Sequence, residues 1–113
     1  MQSEIFSNLA VSYAALYHAG HDLAHLEISG AKLKQALELN PDSSTASYNY
    51  ACYWSLKGDS EQAGKYLRIA FEKATPEEAR ETKKLYAEDA DLANFRKSPQ
   101  AQTFEAEILK QRK

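Results

Sequence analysis

The stretch YACYWSLKGDSEQAGKYLRIAF, Tyr50 to Phe71, decides the fold class. Ahead of Gly58, the residues Tyr50, Ala51 and Trp54 recur at spacings of three and four, with Tyr53 beside them. Beyond it Ala63, Leu67, Ala70 and Phe71 do the same, which is the period of a helix and not of a strand. Gly58 suits the end of one helix. Asp59, with Gln62 three residues on, reads as a capping box opening the next. The stretch is a helix, a tight turn and a second helix.

The same punctuation extends outward. Gly20 ends a first segment, Asn40-Pro41 a second and Thr75-Pro76 a fourth, leaving pieces of about 15–19 residues with helical periodicity. Phe6, Leu9, Tyr13, Leu16 and Tyr17 mark the first piece, and Leu26, Leu33, Ala36 and Leu37 the second. Asp42 or Ser43 can cap the third helix. Thr75 can cap a fifth, with Pro76 at its first position and Glu77 and Glu78 in the first turn, where carboxylates favour the helix dipole. Helices joined by such short turns pack as antiparallel neighbours.

Set against itself, the chain repeats. Tyr13-Ala14-x-x-Tyr17-x-x-x-His21-Asp22 returns as Tyr50-Ala51-x-x-Trp54-x-x-x-Gly58-Asp59. Ser29, Leu33, Ala36 and Leu37 return as Ala63, Leu67, Ala70 and Phe71. The two offsets differ by three residues, inserted between Asp22 and Ser29. That is a little under one helical turn, enough to lengthen the second helix or reshape the turn before it. Small residues at Ala14, Ala51, Ser29 and Ala63 let helix axes approach, and Tyr17, Trp54, Leu33 and Leu67 fill the space alongside. A single hairpin of this kind cannot bury its apolar face, but stacked copies can.

The residues Ala51, Trp54, Gly58, Ala63, Leu67 and Ala70 resemble the signature of the tetratricopeptide repeat, a helix–turn–helix unit. The first copy matches at Ala14, Tyr17, Leu33, Ala36 and Pro41, with His21 where that family usually has Gly. The run Asp89-Ala90-Asp91-Leu92-Ala93-Asn94-Phe95-Arg96, followed by Pro99, is similar to the closing segment of many bacterial arrays. The resemblance implies an all-α single domain, a short right-handed stack of antiparallel hairpins. Repeat 1 spans about 6–41, repeat 2 about 43–76, and a degenerate capping hairpin about 77–111. It further implies a concave groove that binds a peptide or helix of a partner protein, as in an adaptor, scaffold or assembly factor. The groove-facing positions are then Val11, Ala15 and His18 from the first helix, Tyr48, Asn49, Cys52, Ser55 and Leu56 from the third, and Lys83 and Tyr86 from the fifth. Some members clamp a chaperone tail's carboxylate. Here only Asn49, and loosely Lys83, match that set, and Val11 and Ala15 cannot donate a hydrogen bond.

Composition narrows the remaining classes. The chain has 113 residues, 43 % of them hydrophobic and 27 % charged, so it suits one ordered domain. Four glycines and three prolines are too few for a turn-rich β chain. A net charge of −2 gives no global drive toward nucleic acid, and no Lys or Arg precedes Lys32. The basic tip of Lys110, Arg112 and Lys113 reads as a solvated helix end. The aromatic group of Tyr48, Tyr50, Tyr53 and Trp54 has no cation between Lys34 and Lys57 to accompany base stacking, so it reads as packing. Glu4 ahead of the first apolar residues, without a basic leader, does not read as a signal peptide. No apolar run reaches the roughly 20 residues needed to span a bilayer. One cysteine excludes a disulfide framework, and a reducing, cytoplasmic setting is expected.

No constellation nominates catalysis or a cofactor. His18, His21 and His25 would form one stripe on an unbroken helix, a metal or haem site, but Gly20 and the likeness to Gly58-Asp59 place a turn among them. Cys52 has no sequence-local histidine to lower its pKa. Glu77-Glu78 and Glu88-Asp89-Asp91 read as capping and solvated carboxylates. Gly-rich phosphate loops, nucleophile elbows and His-Glu-x-x-His are absent from the sequence. The expected function is protein recognition without chemistry. The alternatives are a self-associating structural module, possible as a homo-oligomer with so small a core, and, more distantly, metal or haem binding at the histidine turn.

Overall fold

The breakers read in the sequence are where the helices end. The computed structural model describes residues 14–20 and 22–109. A helix over residues 14–20 (α1) is followed by α2 (Leu23–Leu39), α3 (Ser44–Lys57), α4 (Ser60–Lys73) and α5 (Pro76–Glu88). A 3-10 turn (Ala90–Leu92), α6 (Ala93–Arg96), α7 (Pro99–Phe104) and a π-helical turn (Glu105–Leu109) complete the described chain, which is all-α. No described helix is long and apolar enough to cross a membrane.

The starts of α2 to α5 are capped by side chains of the type that favours that position. The Asp22 carboxylate accepts from the Ala24 amide, Ser43 from Ala46, Asp59 from Gln62 and Thr75 from Glu78. At Thr75 the exchange is reciprocal, because the Glu78 side chain accepts from the Thr75 amide at 2.8 Å. Gly58 closes α3 at φ 85°, a left-handed conformation that favours a residue without a Cβ. The three-residue insertion lengthens a helix: α2 has 17 residues where its counterpart α4 has 14.

The repeat positions form the core. Leu33 and Ala36 of α2, and Ala63, Leu67, Ala70 and Phe71 of α4, are all buried. Ala51 and Ala63 keep α3 and α4 close, as small residues facing one another allow. Beyond α4 the core continues into the closing segment, where Phe104 meets Phe71, Phe95 and Tyr86 at ring separations of 5.3–5.8 Å. A second cluster lies between α2, α3 and α4. Tyr50 sits against Tyr66 at 4.6 Å, stacks on Tyr53 at 5.6 Å and packs on Leu33. The aromatic residues of α3 therefore serve packing. The Tyr53 hydroxyl donates to Glu27 at 2.6 Å, and Lys57 pairs with the other oxygen of that carboxylate.

A Cβ on Gly30 of α2 would run into the Tyr53 ring of α3. Gly30→Ala should therefore lower stability by about 1–3 kcal/mol through overpacking. On an open helix face the same change would raise stability by up to about 1 kcal/mol. The shift in urea midpoint at unchanged slope gives the sign.

Candidate functional site

The site is built on α3, over which the closing segment folds back. The amide of Phe95 donates to Ser55 Oγ at 3.1 Å, and the Asn94 side chain donates to the Ser55 carbonyl at the same distance. One turn earlier Cys52 Sγ lies 3.8 Å from Asp89 Oδ2, and the Tyr48 hydroxyl donates to that oxygen at 2.8 Å. Asp89 Oδ1 accepts the Asp91 amide, and the Arg96 guanidinium donates to the carbonyls of Asp89 and Tyr86 at 2.7 Å. The turn over Asp89–Asp91 is thus fixed by its own carboxylate, by α3 and by Arg96.

This closure limits the exposure of several residues expected to face a groove. Tyr48, Cys52 and Ser55 do face inward from α3, but they are 8 %, 7 % and 0 % exposed, because the chain's own closing segment covers them. Tyr86 is 3 % exposed, with its ring on Phe95 and Phe104 and its hydroxyl donating to Glu105 at 2.6 Å. Lys83 is exposed and points to the Leu109 carbonyl at 3.5 Å, toward the C-terminal end. Ala15 is exposed, and Val11 lies outside the described residues. Asn49 and Leu56 are half-buried and line a cavity of about 130 Å3 between α1, α2 and α3, together with Cys52, Asp89 and Asp91. His18 is brought there as well, its Nε2 lying 2.8 Å from Asp91 Oδ1. His25 belongs to α2, beyond the turn, and His21 lies outside the described residues, so His18 and His25 sit on different helices. Asp89 and Asp91, expected as solvated carboxylates, are half-buried.

What remains open is a trough of about 720 Å3 between α3 and α5. Ser44, Thr45, Tyr48 and Asn49 form one wall, and Thr75, Glu77, Glu78, Glu81, Thr82, Leu85 and Asp89 the other. Its described lining holds four carboxylates and no lysine or arginine. Glu78 is engaged in its cap and Asp89 with Tyr48, whereas Glu77 and Glu81, one helical turn apart and exposed, join none of the ion pairs among the described residues. The α5 side of the trough is lined by Glu77, Glu78, Glu81, Thr82 and Leu85, and Lys83 and Tyr86 are not in its lining. In the sequence Glu77 and Glu78 read as capping and solvated carboxylates, and Glu81 does not stand out.

Electrostatics follow from the closure. Burial, reinforced by Asp89 and Asp91, pushes the Cys52 thiol well above its usual range. Burial likewise raises the phenols of Tyr48, Tyr53 and Tyr86, each beside a carboxylate. Burial raises Asp91 too, against the opposing pull of His18. The thiol and the three phenols are held neutral in the fold. Their stabilisation is complete below the ordinary values of 9.0 and 10.0 and is lost as pH rises through the raised ones. The urea midpoint should therefore begin to fall as pH rises past about 9 and keep falling to about pH 11, and the fall should shrink in Tyr48→Phe, which has no phenol to ionise there. No protein-family model matches the chain, and neither does a curated protein or a solved structure, so the chemistry of the site is the ground on which its function is read.

Proposed function

We propose that the chain is a tetratricopeptide-like interaction module whose trough between α3 and α5 receives a lysine- or arginine-rich peptide or helix of a partner protein. The observation that carries this reading is the lining: Glu77, Glu78, Glu81 and Asp89 surround a space of about 720 Å3 with no cation among them. Carboxylates arrayed along a trough complement a cationic chain and speed its encounter, and they repel a phosphate backbone. Hydroxyls at Ser44, Thr45 and Thr82, and the amide of Asn49, offer hydrogen bonds that fix register. The two repeat copies, each with an aspartate-capped second helix, support the family reading. The reading involves no reaction and no cofactor. It includes a cytoplasmic setting, where a lone buried thiol stays reduced.

A second reading, self-association, rests on Leu16 and Leu23, which are 48 % and 66 % exposed on neighbouring helices. Light scattering over a range of concentrations separates the two: a dimer that Leu23→Glu dissociates would favour self-association.

For the first reading, the direct probe is a fluorescently tagged oligolysine peptide followed by anisotropy. The full chain should bind it, more weakly as salt is added. The double charge reversal Glu77→Lys, Glu81→Lys should weaken binding at least about tenfold, or roughly 1.4 kcal/mol. Both side chains are exposed, so the fold should survive the change. Equal binding of an oligoglutamate peptide, or affinity indifferent to the reversal, would defeat the proposal.

A further inference from the structure

We propose that Cys52, Asp89, Asp91 and His18 bind a divalent metal ion of the zinc class where the Asp89–Asp91 turn meets α1 and α3. The four side chains come from three parts of the chain that are far apart in sequence. One ligand atom each from Cys52, Asp89 and Asp91 lie within 4.8 Å of one another. His18 Nε2 lies a further 2.8 Å from Asp91 Oδ1. The set is one sulfur, one imidazole nitrogen and two carboxylate oxygens, all ligand types that Zn2+ accepts in tetrahedral sites.

The spacing of Cys52 and Asp89 fits such a site. Zinc bonds of about 2.3 Å to sulfur and about 2.1 Å to oxygen, at a tetrahedral angle, put the two ligand atoms about 3.6 Å apart. Cys52 Sγ and Asp89 Oδ2 are 3.8 Å apart. The corresponding nitrogen–oxygen edge is about 3.3 Å; His18, outside the group of three whose ligand atoms lie within 4.8 Å of one another, must swing from its 2.8 Å contact with Asp91 toward Cys52 and Asp89 to become the fourth ligand. Cys52 is buried, and both aspartates are half-buried. Water therefore screens the two carboxylates poorly, and a dication offsets their charge. No lysine or arginine lines the adjoining cavity, and Arg96 spends its donors on backbone carbonyls.

On binding, the Cys52 S–H bond breaks, a sulfur–metal bond forms and the proton passes to solvent. A thiolate with an imidazole disfavours Mg2+ and Ca2+, which take oxygen ligands, and selects the zinc class. The Tyr48 hydroxyl donates to the Asp89 oxygen beside Cys52 and Arg96 holds the Asp89 backbone carbonyl, the role of outer groups around a metal. The site uses one of the three histidines and shares only Asp89 with the acidic trough.

Co2+ titration of the full-length chain is the test, because tetrahedral thiolate–cobalt gives a near-ultraviolet charge-transfer band and visible d–d bands that Zn2+ then abolishes by displacement. Cys52→Ser should remove the near-ultraviolet band and weaken Zn2+ binding, measured by calorimetry, at least about tenfold. Asp91→Asn, at a half-exposed position, should weaken Zn2+ binding similarly with unchanged circular dichroism, and it decides the matter if Cys52→Ser fails to fold. No near-ultraviolet cobalt band in the parent chain, or Zn2+ affinity unchanged by Asp91→Asn, would overturn the proposal.

Discussion

Between α3 and the closing segment, the Phe95 amide meets the Ser55 hydroxyl at a place where Ser55 has no exposed surface. Without that partner a buried N–H would stand unpaired, at a cost of about 1–3 kcal/mol. Around the bond, the Phe95 ring lies against Gly64, where a Cβ would come to 3.3 Å, and against Phe104 and Tyr86. This clamp carries the last third of the chain back onto the second repeat. It acts together with Tyr48 and Arg96, which fix the Asp89–Asp91 turn over Cys52.

The hairpins were legible because their determinants are local. Gly58, Asp59, Thr75 and Pro76 dictate backbone conformation within a few residues, and the spacing of Ala63, Leu67, Ala70 and Phe71 states which face is buried. Even the insertion before Ser29 could be placed, because residues on either side repeat. The site was less legible, since its making is non-local. Nothing near Ser55 in sequence shows that a backbone amide forty residues later will seek its hydroxyl. Tyr48 and Tyr86 look like anchors for a guest, yet they are enclosed by Asp89, Phe95 and Phe104. The carboxylates after Thr75 had a local explanation as caps, which hid the wider fact that Glu77 and Glu81 face the open space beside α3.

Two polar environments thus lie on either side of Asp89. On one, half-buried groups of different chemistry converge on a few ångströms of space around Cys52. On the other, exposed carboxylates spread along a trough many times larger. The first suits a small, strongly held ion and the second a long, loosely held chain. The Asp89 carboxylate borders both, but Tyr48 and the Asp91 amide already fix its orientation, so occupation of one side need not reshape the other.

The length difference between α2 and α4 has a consequence for how such a chain can vary. From Ser29 onward the two helices carry matching buried positions, so the extra residues of α2 accumulate at its start. Leu23 is open to solvent there, and Glu27 reaches Tyr53 and Lys57 from outside the core. The unit behaves like a ruler anchored at one end: segments can be added or trimmed at the free end while the interlocking teeth stay in step. Length is therefore a tolerant variable in this architecture, and the phase of the buried positions is not.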